Sequence, residues 1–483
     1  MHYSAQKSGF LHSPGYPIKV AKLCAGLALI VLSGILSAAP ESEALPLLIR
    51  NVTPVDAKHG LMQTQDVLID AGHIQSMGKN LAAPTGAAII DGQGRFLTPG
   101  LWDMHVHLSY DSRFIDIMPD LFLDYGITSV RDTGGDLKRL KPILASLYGP
   151  GAEAPRVFFA GPLLDGSPVV YGGNDESGIG EGHLTAAQAR SKINALVAAG
   201  VDFIKIYEMV SPEVFDAFVV EASLHNLPIA AHVPLSMLAS DAAPRVQSME
   251  HLRNLEMDCA RDADALLEER RVLLEAGQEQ PGMSLRSSIH RAQRDPAIQN
   301  EDPARCERVL ASLSATIQVP TARLNAMTQY PPFAQNDWGQ ALDALPESIS
   351  SEWRKASMYM DPNSYKVAGE WTLGMIPRLA ARNIRIGAGT DTPIGWAIPG
   401  YSLHRELEIL VAAGLDTQIA FAAATLVPAS FFGVEDRMGQ VAQGYQADLL
   451  LLDTNPLDDI RHSRDIRLVI LRGKIVRDHR RKH

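Results

Sequence analysis

Short apolar runs alternate with amphipathic stretches along the middle of the chain. The candidate strands are LWDMHVH, GITSVRD, RVFFAGP, VDFIKIY, LPIAAHV, RVQSMEH, ATIQVPT and IRIGAGTD. Between them, TAAQARSKINALVAAG and SPEVFDAFVVEASLHN place apolar residues three to four positions apart and end at a helix-stopping Gly or Asn. Alternating strands and helices predict an α/β fold with a parallel sheet, and eight such units close into a (β/α)8 TIM-like barrel.

The two ends of the chain show a different pattern. LLIRNVTPVDAKHG, DVLIDAGHIQSMG and GAAIIDGQGRFLTPG alternate apolar and polar positions between Gly, Asn and Asp, which predicts short strands. The same pattern of strands separated by turns occurs in MGQVAQGYQADLLLLD and IRLVILRGKIVRD. We therefore predict a small discontinuous β-sandwich domain formed by residues 45–98 and 437–483, with the barrel in residues 99–436.

Two polar segments interrupt the alternation, at about residues 255–310 and 322–366. They are rich in Arg, Gln and Pro and are too long for plain connections between a strand and a helix. Loops that follow the strands of such a barrel surround its active mouth, so we interpret them as lid insertions that wall the substrate site. The alternative is that these insertions take no part in the substrate site.

The N-terminus has the order of a secretory signal peptide. Lys19 and Lys22 precede the apolar run LCAGLALIVLSGILSAA, which ends in small residues. We predict a signal peptide in residues 1–44, cleaved after Ala39 or Ala44, and an exported protein, periplasmic or secreted, with no stable membrane association after cleavage. Retention as an uncleaved membrane anchor is the alternative.

Composition narrows the class of protein. The chain has 483 residues, 46% hydrophobic and 20% charged, which is typical of globular proteins. A formal net charge of -11 argues against nucleic acid as a partner. In an exported protein Cys259 and Cys306 are a disulfide candidate, with two free buried thiols as the alternative.

The predicted strand ends carry candidate metal ligands. In TPGLWDMHVHL, His105 and His107 lie two apart, so on a strand both imidazoles point the same way and can share an ion. Further candidates end other strands: Lys205, His232, His251 and Asp391. Singly, each has an ordinary explanation as an ion-pair partner, a core histidine or a helix N-cap. Together they would converge on one face of a barrel.

These residue types suit divalent ions. Neutral imidazoles and a carboxylate are ligands of zinc and similar ions, and catalytic sites leave a position open for water. Two ions that share a hydroxide need a bridging anion between them. A buried lysine amine with a lowered pKa can react with carbon dioxide to give a carbamate, and Lys205 in VDFIKIY is suited to that role.

The motifs PGLWDMHVHL, GITSVRDTGG, VDFIKIY, IAAHV, MEHL, GAGTDTP and GYQADLLLLDTNPL occur in the order used by the amidohydrolase superfamily. The chain resembles that superfamily over nearly all of its length after the leader. The lysine of the fourth strand resembles the two-metal subtype. The branch it is most similar to comprises imidazolonepropionase-like and Xaa-Pro or Xaa-Arg dipeptidase-like proteins.

The resemblance implies a set of roles. The more buried ion would be held by His105, His107 and Asp391, the more exposed one by His232 and His251, and both would be bridged by carboxylated Lys205. Asp391 would take a proton from the bridging hydroxide and return it to the leaving amine. The implied cofactors are two divalent ions, with zinc as the expected metal.

The resemblance also implies hydrolysis of C–N amide bonds in dipeptides, N-acyl amino acids or related small amides. A cyclic amide, a lactone or an amino-substituted ring is an alternative substrate, because one fold hosts many reactions. A non-catalytic, metal-stabilised binding protein is the other alternative.

Four side chains near the mouth are candidates for substrate contact. Tyr171 or Tyr207 could donate a hydrogen bond to the carbonyl oxygen, and Arg253 could clamp a carboxylate. His404 in YSLHREL is the fourth. For each, packing or a surface ion pair is the alternative. A homo-oligomer whose subunits pair through their outer helices is one candidate assembly.

Overall fold

The computed structural model describes residues 45–173, 178–361 and 363–479, and the predicted signal peptide lies outside them. The strands are β1 (Leu47–Asp56), β2 (Gly60–Leu61), β3 (Gln65–Asp70), β4 (His73–Gly78), β5 (Ala88–Asp91), β6 (Phe96–Pro99), β7 (Leu101–Val106), β8 (Ile127–Asp132), β9 (Arg156–Phe159), β10 (Leu163–Asp165), β11 (Gly180–Gly182), β12 (Ile204–Ile206), β13 (Ile229–Ala231), β14 (Ser248–Glu250), β15 (Ile317–Val319), β16 (Leu449–Leu452), β17 (Ile466–Leu471) and β18 (Lys474–Asp478). 

The α-helices are α1 (Met118–Asp124), α2 (Leu137–Leu147), α3 (Ala186–Ala199), α4 (Pro212–Leu224), α5 (Ala239–Ala242), α6 (Leu255–Cys259), α7 (Ala263–Ala276), α8 (Gly282–Gln299), α9 (Pro303–Ser312), α10 (Ala322–Asn325), α11 (Trp338–Asp343), α12 (Glu347–Ser357), α13 (Lys366–Ala380), α14 (Tyr401–Ala412), α15 (Thr417–Ala423) and α16 (Leu426–Phe431). 

Strands from both ends of the chain share one sheet. Its order is β18-β17-β16-β6-β1-β3-β4, with β2 and β5 also paired to β1. The two ends meet where β16 runs antiparallel to β6, with Leu451 opposite Leu97. Both leucines are buried in one hydrophobic cluster with Ile49 and Ile470. The apolar alternation of the terminal segments therefore builds a single shared core.

The middle of the chain forms parallel sheets, so the predicted mixed α/β fold is confirmed. One sheet has the order β7-β8-β9, and the other has the order β11-β10-β12-β13-β14-β15. All pairings within both are parallel. Seven of the eight candidate strands match β7, β8, β9 and β12 to β15, while β10 and β11 were not predicted from the sequence.

The eighth candidate strand, IRIGAGTD, is not a regular strand. Isolated parallel bridges join Ile386 to Gln318 of β15 and Thr392, the residue after this segment, to Val106 of β7. Its glycines allow close backbone approach: a Cβ at Gly389 would lie 2.7 Å from the Cβ of His105. Glycine inside a strand weakens pairing, and here it brings the segment against the metal-ligand candidates of β7.

Helices α3 and α4 begin and end where the sequence predicts. Thr185 caps α3 in a capping box with Gln188, and Gly200 ends it in a left-handed conformation. Ser211 caps α4, whose first residue is Pro212. Helix α3 connects β11 to β12, and α4 connects β12 to β13.

The polar insertions are mostly helical. The first contains α6 to α9, and the second contains α10 to α12. A disulfide joins Cys259 at the end of α6 to Cys306 in α9, so the sequence candidate forms a bond. Among the helices of the described ranges, none has both the length and the apolar character needed to cross a membrane.

Candidate active site

The six candidate ligands line one cavity of about 150 Å³. His105 lies in β7 and Lys205 in β12, while the others lie just beyond strand ends or in the irregular eighth segment: His107, His232, His251 and Asp391. Carboxyl ends of parallel strands meet on one edge, which explains how residues so distant in sequence converge. All six are buried.

Three of them form a compact donor group. Oδ1 of Asp391 lies 3.3 Å from Nε2 of His105 and 3.1 Å from Nε2 of His107. Ligand atoms of all three lie within 4.8 Å of one another, close enough to hold one metal ion. Asp391 adopts a left-handed backbone with φ of 61°, an uncommon conformation for a residue other than glycine that recurs at functional sites.

The Nδ1 atom of each of the four histidines has a fixed partner. Nδ1 of His105 lies 2.7 Å from Oε2 of Glu250, and that of His107 lies 2.9 Å from the carbonyl oxygen of Gly134. Nδ1 of His232 lies 2.7 Å from Oε1 of Glu208, and Nδ1 of His251 contacts Oγ1 of Thr321. An Nδ1–H donor leaves the Nε2 lone pair free, which is the arrangement of metal-binding imidazoles.

Burial keeps two of these imidazoles neutral. Desolvation, helped by the positive charge of Lys205, lowers the pKa of His232 to about 3. Desolvation and the neighbouring His105 hold the pKa of His251 well below its ordinary value. Both rings are therefore neutral at physiological pH, the form that binds metal.

Lys205 is an isolated buried amine. Its side chain is 1% exposed, and Nζ has no hydrogen-bond partner among the described residues. Burial lowers its pKa to about 8, although Glu250 acts in the opposite direction. An unpartnered buried polar atom is costly, and one beside four imidazoles and a carboxylate indicates a missing partner.

A buried ion pair between Arg131 and Glu250 lies next to His105. Nη2 of Arg131 donates to Oε1 of Glu250 at 2.8 Å, and its Nε contacts the carbonyl oxygen of Met104. Burial acts to raise the pKa of Glu250, but Arg131, Lys205 and His105 together outweigh it and hold that pKa well below the usual range. The charged carboxylate can then fix the orientation of His105.

The predicted substrate residues divide into two groups. Tyr171, Tyr207 and Arg253 line the cavity, but His404 does not. Burial raises the pKa of both tyrosines, so their hydroxyls stay protonated. His404 is fully buried, with Nδ1 2.8 Å from the Ser463 hydroxyl and Nε2 2.9 Å from the Tyr125 carbonyl. The packing explanation therefore holds for His404.

Several residues of the site escaped the sequence analysis. Glu208 and Glu250 each adjoin a named candidate, and that adjacency was the available sign. Arg286 also lines the cavity, from α8 of the first insertion. No strand-end pattern marks Arg286, because an insertion has no periodic relation to the strands.

Residues 347–476 match the family model described as "Amidohydrolase family". The chain is 47% identical to a dihydroorotase of Geobacter sulfurreducens over 62 residues, which is 13% of this chain and 15% of that protein. The chain thus spans well under two thirds of that relative. The similarity to amidohydrolases expected from the motifs is confirmed over this C-terminal part.

The fold likeness extends over most of the chain. A bottromycin amidohydrolase structure matches with a TM-score of 0.64 and 20% identity, covering 90% of this chain and 88% of that one. A Xaa-Pro dipeptidase with methionine in its active site matches with a TM-score of 0.60 and 18% identity, covering 89% and 99%. The fold is therefore shared with this bottromycin amidohydrolase and this Xaa-Pro dipeptidase.

Proposed function

We propose that this protein is a metal-dependent hydrolase that cleaves C–N amide bonds of dipeptides, N-acyl amino acids or related small amides. The observation that carries the proposal is one cavity lined by four imidazoles, a carboxylate and a buried amine. The similarity to the amidohydrolase family over residues 347–476 supports the reaction class. A binding module has no need for this combination of ligands and a proton acceptor.

The residues fit two divalent ions, with zinc as the expected metal. His105, His107 and Asp391 would hold one ion, and His232 with His251 would hold the other. The amine of Lys205, unpartnered and with a pKa of about 8, supports a bridging carbamate. In its neutral form the amine nitrogen would bond to the carbon of carbon dioxide and release one proton to solvent, which turns a neutral amine into an anionic carbamate.

When bound, the ions would lower the pKa of a water molecule and polarise the scissile carbonyl. Asp391 would accept a proton on its carboxylate and deliver it to the leaving amine. Tyr171 or Tyr207 would donate its hydroxyl hydrogen to the carbonyl oxygen as negative charge develops there. Arg253 would pair with a carboxylate of the substrate.

The predicted TIM-like barrel and terminal β-sandwich belong to this proposal. The bridges of Ile386 to β15 and of Thr392 to β7 support closure of the parallel sheets through the irregular segment. Export to the periplasm or outside the cell is part of it as well, carried by the order of charged, apolar and small residues in 1–44.

The test is metal content per chain, measured by elemental analysis on protein recovered from the exported fraction. Its mass reports whether the leader is cleaved. We expect close to two divalent ions in the parent, clear loss in Lys205→Ala, and amine release from acylated amino acids by the parent. One ion or none in the parent, or two retained in the variant, would contradict the bridged site.

Product analysis separates the alternatives. A free amino acid indicates amide cleavage, ammonia indicates deamination, and acid released without amine indicates a lactone or an ester. A protein that holds both ions and releases no product from any of these substrate classes would fit the non-catalytic alternative.

A further inference from the structure

Glu208 joins the candidate active site to the first insertion. Its carboxylate is fully buried. Oε1 lies 2.7 Å from Nδ1 of His232 and accepts a hydrogen bond from Nη2 of Arg286 at 2.9 Å. Oε2 lies 2.7 Å from Nε2 of His290. Three side chains therefore converge on one carboxylate, and one of them is a candidate metal ligand.

The other two side chains come from the same face of an inserted helix. Arg286 and His290 lie four positions apart on α8, so their side chains project from successive turns. Arg286 contacts Oε1 of Glu208 and His290 contacts Oε2, so the two side chains hold both oxygens of the carboxylate while Oε1 accepts the Nδ1–H of His232.

This support differs from that of the other three histidines. Glu250, which contacts His105, is bonded to Arg131 of β8 and Ser248 of β14. The partners of His107 and His251 are a backbone carbonyl and the Thr321 hydroxyl. Among the described residues, His232 is the candidate ligand whose acceptor is held by groups from the insertion.

We propose that Arg286 and His290 are positioning residues, through which the inserted helix α8 fixes Glu208 and hence His232 for the more exposed metal ion. The inference rests on the proposed function. Partners in this outer layer fix the tautomer and orientation of a ligating imidazole, and their loss typically lowers metal affinity by about 10- to 100-fold. Without α8, Glu208 would be a buried carboxylate with one partner, free to turn away from His232.

His290 is the better probe because Arg286 also lines the cavity and can contact substrate. His290→Leu removes the donor, whereas His290→Gln retains an N–H near the position of Nε2. Arg291→Gln is the matched control, since Arg291 is the next residue of α8 and is exposed. Thermal unfolding of each variant reports whether it folds.

The measurement is zinc release from the loaded protein to a chromogenic chelator, followed in time. We expect His290→Leu to lose one equivalent at least tenfold faster than the parent and the other at the parent rate. His290→Gln should stay within about threefold of the parent, and Arg291→Gln should match it. If His290→Leu does not fold, Arg286→Met removes the other donor, with the same selective loss expected.

Release of both equivalents at parent rates from a folded His290→Leu or Arg286→Met would overturn the inference and leave the proposed function intact. Equal acceleration of both equivalents would also overturn it, because the effect would then be general loosening. A parent that binds fewer than two ions would refute the proposed two-metal site and this inference with it.

Discussion

Among single residues, Arg253 is the candidate for binding an anionic group of the substrate. It lines the cavity, and no ion pair with a carboxylate involves it among the described residues. Burial lowers its pKa, as does the nearby Arg286, yet a guanidinium stays charged at neutral pH. A partly buried cation that shares the cavity with the metal-ligand candidates is suited to bind an anionic end of a substrate.

We predict that Arg253→Gln raises KM about 10- to 100-fold for substrates with a free carboxylate, because a hydrogen bond to a charged group contributes about 1.5–3 kcal/mol. Steady-state kinetics on paired substrates, one with a carboxylate and one with a carboxamide, measure this. The carboxamide should be hydrolysed equally by parent and variant. An equal loss on both substrates would assign Arg253 a structural role.

The ligand candidates could be identified from sequence because each lies at the end of an apolar run. Strand ends of parallel sheets share an edge, so position along the chain translates directly into proximity. Glu208 and Arg286 could not be predicted in the same way, since their contact depends on how an inserted helix packs. His404 was a candidate from the sequence that does not line the cavity. Both of its ring nitrogens have hydrogen-bond partners in the core.

Among the structural elements, the first insertion is a loop whose two ends are joined by a disulfide. The disulfide links the end of α6, soon after His251, to α9 and encloses both α7 and α8. Asp258 next to it also binds Arg305. The segment that carries Arg286 and His290 is therefore anchored at both of its ends.

We predict that the double change Cys259→Ala, Cys306→Ala lowers the free energy of unfolding by about 4 kcal/mol. The bond spans 47 residues, and closing a loop of that length restricts the unfolded chain by about this amount. Urea unfolding of the oxidised parent and the variant measures the difference. Identical midpoints and slopes would show that the bond contributes nothing to stability.

Elements were predicted best where several local rules agree. Helix α3 combines a capping box, amphipathic spacing and a terminal glycine, and its bounds follow from these. The segment IRIGAGTD has an apolar start typical of a strand, but its glycines favour irregular backbone against β7. Strand β10 follows β9 with no helix between them, and β11 is Gly-Glu-Gly with no apolar residue, so neither fits the expected alternation of apolar strands and helices.

At the scale of the whole molecule, the proposed metal site ties together distant parts of the chain. Its candidates come from β7 and the residue after it, from β12, from the residues that follow β13 and β14, and from the irregular segment that ends in Asp391. Bound ions would stabilise the folded state alone, because the unfolded chain cannot assemble the set.

We therefore predict that removing the metal with a chelator lowers the Tm by roughly 5 °C or more, and that zinc restores it. Differential scanning calorimetry on metal-loaded, chelated and reloaded protein measures this. Lys205→Ala should show a smaller difference between loaded and chelated forms. An unchanged Tm in the parent would mean that ions contribute nothing to its stability.

The strands β6 and β16 pair in the fold but are synthesised at widely separated times. Arg95 beside β6 bonds to Asp453 beside β16 across 358 positions. At a synthesis rate of about 5–20 residues per second, roughly 20 to 70 s pass between the appearance of the two strands. During that interval one edge of β6 has no neighbour, and an unpaired strand edge can recruit other chains. Nascent chains of this protein should depend on a chaperone that shields β6 until β16 has been made.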